Sequence, residues 1–388
     1  MSLPLIVLIP FLGAALVSWS CSRGRLWSAY AAGAVTLICL LMLLPLAREV
    51  MSGATLLWRH DWVPAAGLAL VFRLDGLGLL FALMILGIGL LVILYARYYL
   101  SEQDPMGRFY AYMLLFMGSM LGVVLADNVI TLFVFWELTS VCSYMLIGFN
   151  NETENGRASA LKALIVTGAG GLLLLAGLIL MMIAGEQLGL SPADAGRISA
   201  LATVDLRGHA LYPAIFALLV LGCVTKSAQV PFHFWLPAAM AGPTPVSAYL
   251  HSATMVKAGI YLLARMHPIL GDTWLWTNVV TVFGLVTMLV GAIATLGQKD
   301  LKRILAYGTV AQLGLLTSLA ARGTTLSAAA ALLLGHAAFK AALFMVVGIV
   351  DRSTGSRDAR TLRGLRHALP GAFVVTVAAG ASMAGLPG

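Results

Sequence analysis

LVLGCVTKSAQVPFHFWLPAAMAGPTPVSAYLHSATMVKAGIYLLAR, residues 219–265, decides the fold. Both ends are apolar enough to cross a bilayer, yet Pro231, Pro237, Pro243 and Pro245 interrupt the run. Proline removes a backbone donor and clashes with the preceding turn, so no regular helix continues through such a stretch. Backbone freed at membrane depth must be satisfied by protein or water, and broken helices are found there where they line cavities or sites. Lys226 stands just before the interruption and fits a hydrated site; snorkelling to a nearby interface is the competing reading. Beyond it, Ser247, His251, Thr254 and Lys257 step by four, three and three, which predicts a slowly drifting polar stripe along one otherwise apolar helix over 244–265. Interhelical hydrogen bonding is the structural alternative for that stripe.

The rest of the chain agrees with a membrane setting. Of 388 residues, 60% are hydrophobic and 10% charged, against roughly 25% charged for a soluble domain. A soluble fold could not hide that much apolar surface. Runs of about 20 apolar residues cross a core of ~30 Å. Twelve candidates follow: 3–20, 27–47, 76–96, 109–126, 128–149, 159–184, 211–228, 244–265, 275–296, 303–320, 326–349 and 369–388. The fold class is therefore all-α, a polytopic membrane helical bundle of about twelve transmembrane helices. Region 48–75 reads as a hairpin or interfacial segment, and 186–209 is the one sizeable polar stretch between spans. No soluble domain is found. The first run has no basic segment before it, so it reads as a retained span and not as a cleaved signal.

The +8 net charge is distributed by topology. Alternate connections put thirteen basic residues on one side and seven on the other. The positive-inside rule makes the first side cytoplasmic and the N-terminus external, in a cell inner (plasma) membrane. No basic stripe lies on a soluble module, which excludes nucleic acid as a partner. Cys21, Cys39, Cys142 and Cys223 are scattered, with no paired spacing, so neither a metal site nor a disulfide framework follows. No phosphate-binding glycine motif opens a helix after a strand, and no cofactor is expected. Asn151-Glu152-Thr153 matches a glycosylation acceptor, but its connection is read as cytoplasmic.

The informative feature is how lysine and arginine are sorted. Lys162, Lys226, Lys257 and Lys340 fall inside the twelve candidates, four of only six lysines, while the 18 arginines sit at ends and loops. Arginine stays charged at any accessible pH, whereas a desolvated lysine can give up its proton and serve a relay. A charge near the bilayer centre costs on the order of 2.5–3.5 kcal/mol, so it faces protein or water. Glu137, in ITLFVFWELTSVCSYMLIGF, is the only acid deep in a span, with Ser140 and Tyr144 on its face. A neutral, hydrogen-bonded structural carboxyl is its bland reading. His336 and Lys340 in LLLGHAAFKAALFMVVG share one face at i,i+4 and could pass or hold a proton. With no HExxH and no thiolate cluster, zinc is not the reading. Lys162 follows Arg157 and suits anchoring as well as function. Lys299, Asp300, Lys302 and Arg303 read as a solvated cytoplasmic turn.

These residues resemble a known family. Glu137 in FWELTS, Lys226 in KSAQVPFHFWLP, GPTPVSAYLHSATMVKAGIYLLAR at 242–265 and the HxxxK of 336–340 are similar to the antiporter-like subunits. That family includes the A subunits of Mrp-type multisubunit cation/proton antiporters and related membrane subunits of respiratory complex I. Lys257 in HSATMVKAG and Leu138-Thr139 in FWELTS resemble the Mrp branch more. The resemblance implies two inverted five-helix repeats, each with a broken helix. The chain then divides into N-terminal helices at 1–108, a first repeat at 109–265 and a second at 275–388. It further implies a buried Glu137–Lys226 ion pair, with His251, Lys257, His336 and Lys340 extending a polar axis along the midplane.

The function it implies is proton translocation within a multisubunit monovalent cation (Na+ or K+)/proton antiporter, with other subunits and lipid as partners. The chain is then part of a transporter and not an enzyme. The alternative is a proton-pumping membrane subunit of an NADH-quinone oxidoreductase-like complex; a purely structural scaffold is a third reading. In the family, Ala-Gly-Leu-Pro is followed by another proline and the second half of a broken helix bearing a lysine. Here the sequence stops at Gly385-Leu386-Pro387-Gly388, so a truncated second repeat is expected.

Overall fold

The computed structural model describes residues 2–20, 24–63 and 68–386. Cys21 and the terminal Pro387 and Gly388 lie outside them. Two helices, α1 (Ser2–Ser20) and α2 (Arg25–Met51), come first. An antiparallel hairpin follows, β1 (Leu56–Val63) on β2 (Leu68–Leu74), with Leu56 opposite Leu74 and an irregularity between Asp61 and Val63. Next come α3 (Gly76–Tyr99), α4 (Met106–Leu125), α5 (Val129–Ile147), α6 (Glu154–Gln187) and α7 (Tyr212–Lys226). Then follow α8 (Thr244–Ser252), α9 (Ala258–Leu270), α10 (Trp274–Leu296), α11 (Leu301–Ala320), α12 (Leu326–Thr354) and α13 (Pro370–Met383).

Among the described residues seven helices are long and apolar enough to cross a membrane, lying in α2, α3, α4, α5, α6, α10 and α12; α1, α7 and α13 are shorter apolar helices. The chain is a multi-pass membrane helical bundle. The hairpin occupies the region read as a hairpin or interfacial segment, and the polar stretch 186–209 holds the end of α6 and the short helices Pro192–Ala195 and Ile198–Leu201. One span differs from expectation. Residues 244–265 are not one helix: α8 stops at Ser252, and a 3-10 turn at Met255–Lys257 precedes α9. Thr254 closes α8 by donating its hydroxyl to the Tyr249 carbonyl at 2.8 Å, a local bond that competes with helix continuation.

Polar residues at the connections start the helices. Asp75, Asn128, Thr153, Thr273 and Asp300 each accept a backbone N–H from the first turn of α3, α5, α6, α10 and α11. The middle of the bundle is α4, buried along nearly its whole length. At the periphery α10 exposes Val282, Leu285, Leu289 and Ile293, an apolar face suited to lipid or a partner helix. Glycines set the closest approaches. Gly170 and Gly222 let α6 and α7 meet backbone to backbone, where a Cβ on Gly170 would overlap Thr225 and one on Gly222 would meet Leu174.

One polar cluster ties the hairpin to the bundle. Arg265 of α9 grips the Asp75 carboxylate with both terminal nitrogens, Nη2 at 2.9 Å, and its Nε donates to the Tyr261 hydroxyl at 3.1 Å. Arg73 bridges Asp75 at 3.1 Å and Asp127 at 3.8 Å. Asp127 in turn accepts from the Ser199 backbone N–H and hydroxyl. Burial pushes the Asp75 carboxyl up, but the Arg265 hydrogen bonds and the Arg265 and Arg73 charges outweigh it and hold the group below its ordinary value. A carboxylate with a depressed native value contributes stability above its unfolded value of about 3.9 and loses it only as pH falls through the native one. Asp75→Asn, which strands Arg265, is expected to cost on the order of 3 kcal/mol. Thermal unfolding in detergent checks this, and the deficit should stay constant between roughly pH 6 and 9.

Candidate functional site

The interruption after α7 is satisfied by side chains from three directions. Ala228 takes a left-handed conformation (φ 49°), turning the chain away from α7, and the Gln229 N–H returns to the Val224 carbonyl at 2.9 Å. The Val230 N–H donates to the Thr287 hydroxyl of α10 at 2.9 Å. Trp235 Nε1 donates to the Thr225 carbonyl at the end of α7 at 3.0 Å. At the far end Lys302 of α11 donates its Nζ to the Met240 and Gly242 carbonyls at 2.9 and 2.7 Å. The last carbonyls of a helical segment carry partial negative charge, so an ammonium suits that place.

Lys302 corrects the reading of Lys299–Arg303 as a solvated turn: its side chain is 1% exposed. Beside it, Lys299, Asp300, Arg303, Asp351 and Arg357 line a polar cleft, with Arg357 reaching Asp300 at 3.2 Å and Asp351 at 3.9 Å. Only Lys302 turns inward. A sequence signal existed in the contrast between LKRILAYGTVAQLGLL and its charged start, which places one basic residue of the first turn on the apolar side.

The six residues singled out from sequence lie in the bundle, five of them fully buried. Lys226, His251, Lys257, His336 and Lys340 are 0–1% exposed, while Glu137 is half-buried. Lys226 Nζ donates to the Trp136 carbonyl at 3.0 Å and the Ser140 hydroxyl at 2.7 Å, and lies 5.2 Å from the Trp136 ring centre. Lys257 donates to the Leu333 carbonyl of α12 at 3.0 Å, and Lys340 to the Leu305 carbonyl of α11 at 3.1 Å. With Lys302, four buried amines are thus held only by carbonyl and hydroxyl oxygens, with no carboxylate within 4.0 Å among the described residues.

The expected Glu137–Lys226 ion pair is not made. Lys226 is taken by Trp136 and Ser140, one residue before Glu137 and three after it. The carboxylate is instead laid against α6 where Gly171 provides the room: a Cβ there would overlap Glu137 Oε1. That oxygen is buried and has no hydrogen-bond partner, yet the two charges act on each other across the gap. Lys162 points away, exposed on the apolar flank of α6 among Leu161 and Ile165.

The histidines connect the amines. His336 lies within electrostatic reach of both Lys257 and Lys340, and beside the Ser252 backbone. His251 is in reach of Lys302 and packs between Trp235, ring centres 6.4 Å apart, and Phe344, 6.2 Å apart. Neither histidine makes a well-formed hydrogen bond through a ring nitrogen. Leu305, which accepts from Lys340, is one turn along α11 from Lys302. The Ser247, His251, Thr254 and Lys257 stripe survives as a set of fully buried groups, but on two helices and the turn between them. Interrupted helices, four buried amines with no carboxylate within 4.0 Å and two histidines with unsatisfied ring nitrogens are thus packed within the bundle.

Comparison with known proteins gives the family. Residues 126–388 match the family model described as NADH:quinone oxidoreductase/Mrp antiporter, TM, and residues 62–110 match the complex I chain 5 N-terminus model. The chain belongs to the NADH:quinone oxidoreductase/Mrp antiporter membrane family. It is 48% identical over 99% of its length to the A/B subunit of a probable K(+)/H(+) antiporter of Rhizobium meliloti, covering 38% of that protein. It is 45% identical over 91% of its length to the A1 subunit of a Na(+)/H(+) antiporter of Staphylococcus aureus, covering 45% of it. It therefore spans less than half the length of these curated relatives. Among solved structures, the Mrp complex of Dietzia sp. matches with TM-score 0.85 at 36% identity, over 100% of this chain and 42% of that one. An archaeal membrane-bound sulfane sulfur reductase shares the fold with TM-score 0.85 at 23% identity, over 99% of this chain and 78% of that one.

Thr287 tests the account of the interruption. Thr287→Val keeps the volume but removes the acceptor of a buried N–H, and is expected to cost about 1–3 kcal/mol, with Thr287→Ser retaining most of the stability. Unfolding midpoints in detergent give the answer; equal midpoints for both variants would mean that Val230 finds another partner.

Proposed function

We propose that this chain is a proton-translocating part of a multisubunit monovalent cation (Na+ or K+)/proton antiporter, using Glu137, Lys226, His251, Lys257, His336 and Lys340 together with Lys302. The observation that carries the reading is the neutral company of the buried amines. A structural lysine at this depth would be paired with a carboxylate to offset its desolvation. An amine held by carbonyls and hydroxyls alone can hold its proton or release it and keep the same neighbours. The antiporter names of the relatives support the cation half of the reading.

The steps follow the neighbours. Separation of Glu137 from Lys226, the arrangement described here, withdraws electrostatic support from the Lys226 ammonium. Its proton passes toward His251 along the interruption lined by Trp235. His251 communicates with Lys302, and α11 carries the exchange to Lys340, then His336 and Lys257. A monovalent cation moves the opposite way, driven by ~2.3 kcal/mol per charge per 100 mV. Other subunits and the bilayer are the partners, in a plasma (inner) membrane with the N-terminus outside. Residues 109–265 and 275–388 are read as the two repeats. The complex I names in the family models favour a second reading, a proton-pumping subunit of an NADH-quinone oxidoreductase-like assembly; copurification of a quinone reductase, in place of cation exchange, selects it.

Two experiments in the assembled complex test the proposal. Glu137→Gln should abolish sodium- or potassium-driven proton movement in everted vesicles, and Gly171→Ala, which displaces the same carboxylate, should approach that loss. Undiminished exchange in Glu137→Gln removes the residue from the mechanism. Lys302→Leu should lower exchange by roughly 100-fold, as removal of a relay acid or base does, while Lys302→Arg keeps the clamp but not the exchangeable proton. Equal activity of Lys302→Arg and the parent would leave Lys302 a purely structural clamp.

A further inference from the structure

We propose that α4, α5 and α6 together hold one anionic phospholipid at the face read as cytoplasmic, its phosphate lying between Arg108 and Arg157. A cavity of about 140 Å³ opens there, between the first turn of α4, the last turn of α5 and the start of α6. Arg108, Tyr112, Tyr144, Asn151 and Arg157 give it a polar wall, and no acidic residue lines it. Both guanidinium groups are positioned by neutral partners. Arg108 donates its Nη2 to the Phe149 carbonyl at 3.3 Å and stands 5.1 Å from the centre of the Phe149 ring. Arg157 donates its Nη1 to the Asn151 and Glu152 carbonyls at 2.7 and 3.1 Å. Among the described residues neither arginine has a carboxylate within 4.0 Å. Gly148 lets α5 end close against α6: a Cβ there would meet the Tyr144 carbonyl at 3.1 Å and the Ala160 methyl at 3.2 Å. Two fixed cations thus share one small cavity and lack an anion.

The surroundings select a lipid. Guanidinium forks match phosphate oxygens, and tyrosine hydroxyls can donate to the same group. Toward the bilayer centre the flank turns apolar. Leu161 and Ile165 follow Arg157 at i+4 and i+8 on one face of α6, and both are exposed. Val141 and Tyr144 are exposed on α5 beside them. Cations at the headgroup, an aromatic ring at the interface and an apolar strip below it follow the order of parts in a phospholipid. Free phosphate would use only the first of these. Lys162, which has no place in the buried axis, is exposed next to Leu161 on the same flank. A long amine there extends back to the headgroup while its stem covers apolar surface. Glu152 and Glu154, the acids nearest in sequence, are exposed and line no part of the cavity. An acidic loop of another subunit would answer the two arginines, but it would leave Lys162 facing acyl chains with no anion.

Photo-crosslinking in the assembled complex tests this. Leu161 is replaced by benzoylphenylalanine, and the complex is reconstituted in vesicles of equal parts phosphatidylglycerol and phosphatidylcholine. Adducts formed on illumination are identified by mass. The phosphatidylglycerol adduct should exceed the phosphatidylcholine adduct by roughly fivefold for each arginine engaged. Arg108→Gln combined with Arg157→Gln should bring the ratio near one. Arg108→Lys combined with Arg157→Lys should keep part of the excess, because the charges stay while the forked geometry is lost. Excess inorganic phosphate should leave the parent ratio unchanged. Four results overturn the proposal: a parent ratio of one, which means ordinary annular contact; a cross-link to a neighbouring subunit in place of lipid, which means a protein interface; a ratio that collapses with inorganic phosphate, which means a site for the free ion; and full enrichment in the glutamine pair. The parent and lysine-pair ratios decide the matter even where the glutamine pair does not assemble.

Discussion

A bilayer offers its interior no hydrogen bond, and everything distinctive in this structure follows from one interruption that must be satisfied without water from outside. Between Lys226 and Thr244 the chain leaves regular helix with its backbone groups at membrane depth. Thr287, Trp235 and Lys302 come from α10, from the segment itself and from α11 to meet them. Those contacts fix the neighbours: α11 must lie against the interruption, which brings Leu305 within reach of Lys340 and sets α12 against α8 and α11. The amines are therefore not decorations on a finished bundle. One of them is part of what holds the interruption in place.

This dual role limits how such a site can be built. Lys302 completes a helix terminus, a task an arginine or a serine could share. On the function proposed above, only an amine could do it and also exchange a proton with a histidine neighbour without changing size. Structural and functional demands would then meet on one side chain, and Ser140 of α5 likewise accepts from Lys226. Among the described residues none of the four amines has a carboxylate within 4.0 Å. An uncompensated charge in a bilayer costs on the order of 2.5–3.5 kcal/mol, which disfavours full charging of all four at once.

Much of this was legible in the residues. Run lengths placed helices in all twelve expected segments, because a span needs about 20 apolar residues whatever its neighbours do. The sorting of lysine from arginine pointed to Lys226, Lys257 and Lys340, since a cation in an apolar run has few structural excuses. The failures share a cause. Ala253 and Thr254 carry no proline or glycine, and the break there comes from a Thr254 bond that helix patterning does not register. Lys302 sits two residues past the Asp300 cap in a stretch that reads as solvated; its burial depends on carbonyls about sixty positions away in sequence. The Asp75–Arg265 pair likewise spans 190 positions and leaves no local trace. The Glu137–Lys226 contact was inferred from likeness, which carries residue identities but not the state in which they are caught.

On the function proposed above, that state bears on direction. Glu137 is turned to Gly171 and Lys226 to Trp136 and Ser140, so the pair is apart while Arg265 and Asp75, on the hairpin side, are together. A carrier that exchanges ions against protons must not connect both faces at once, or it would dissipate the gradient it uses. Lys302 lies near the cleft lined by Asp300 and Asp351, while Leu333, whose carbonyl holds Lys257, lines the cavity walled by Arg73, Asp75 and Arg265. Closing the Glu137–Lys226 gap would place a compensated charge at the first end of the axis and weaken the demand for one further along. Such a change needs only shifts of single side chains, and the packed, glycine-spaced α6–α7 contact need not part for it.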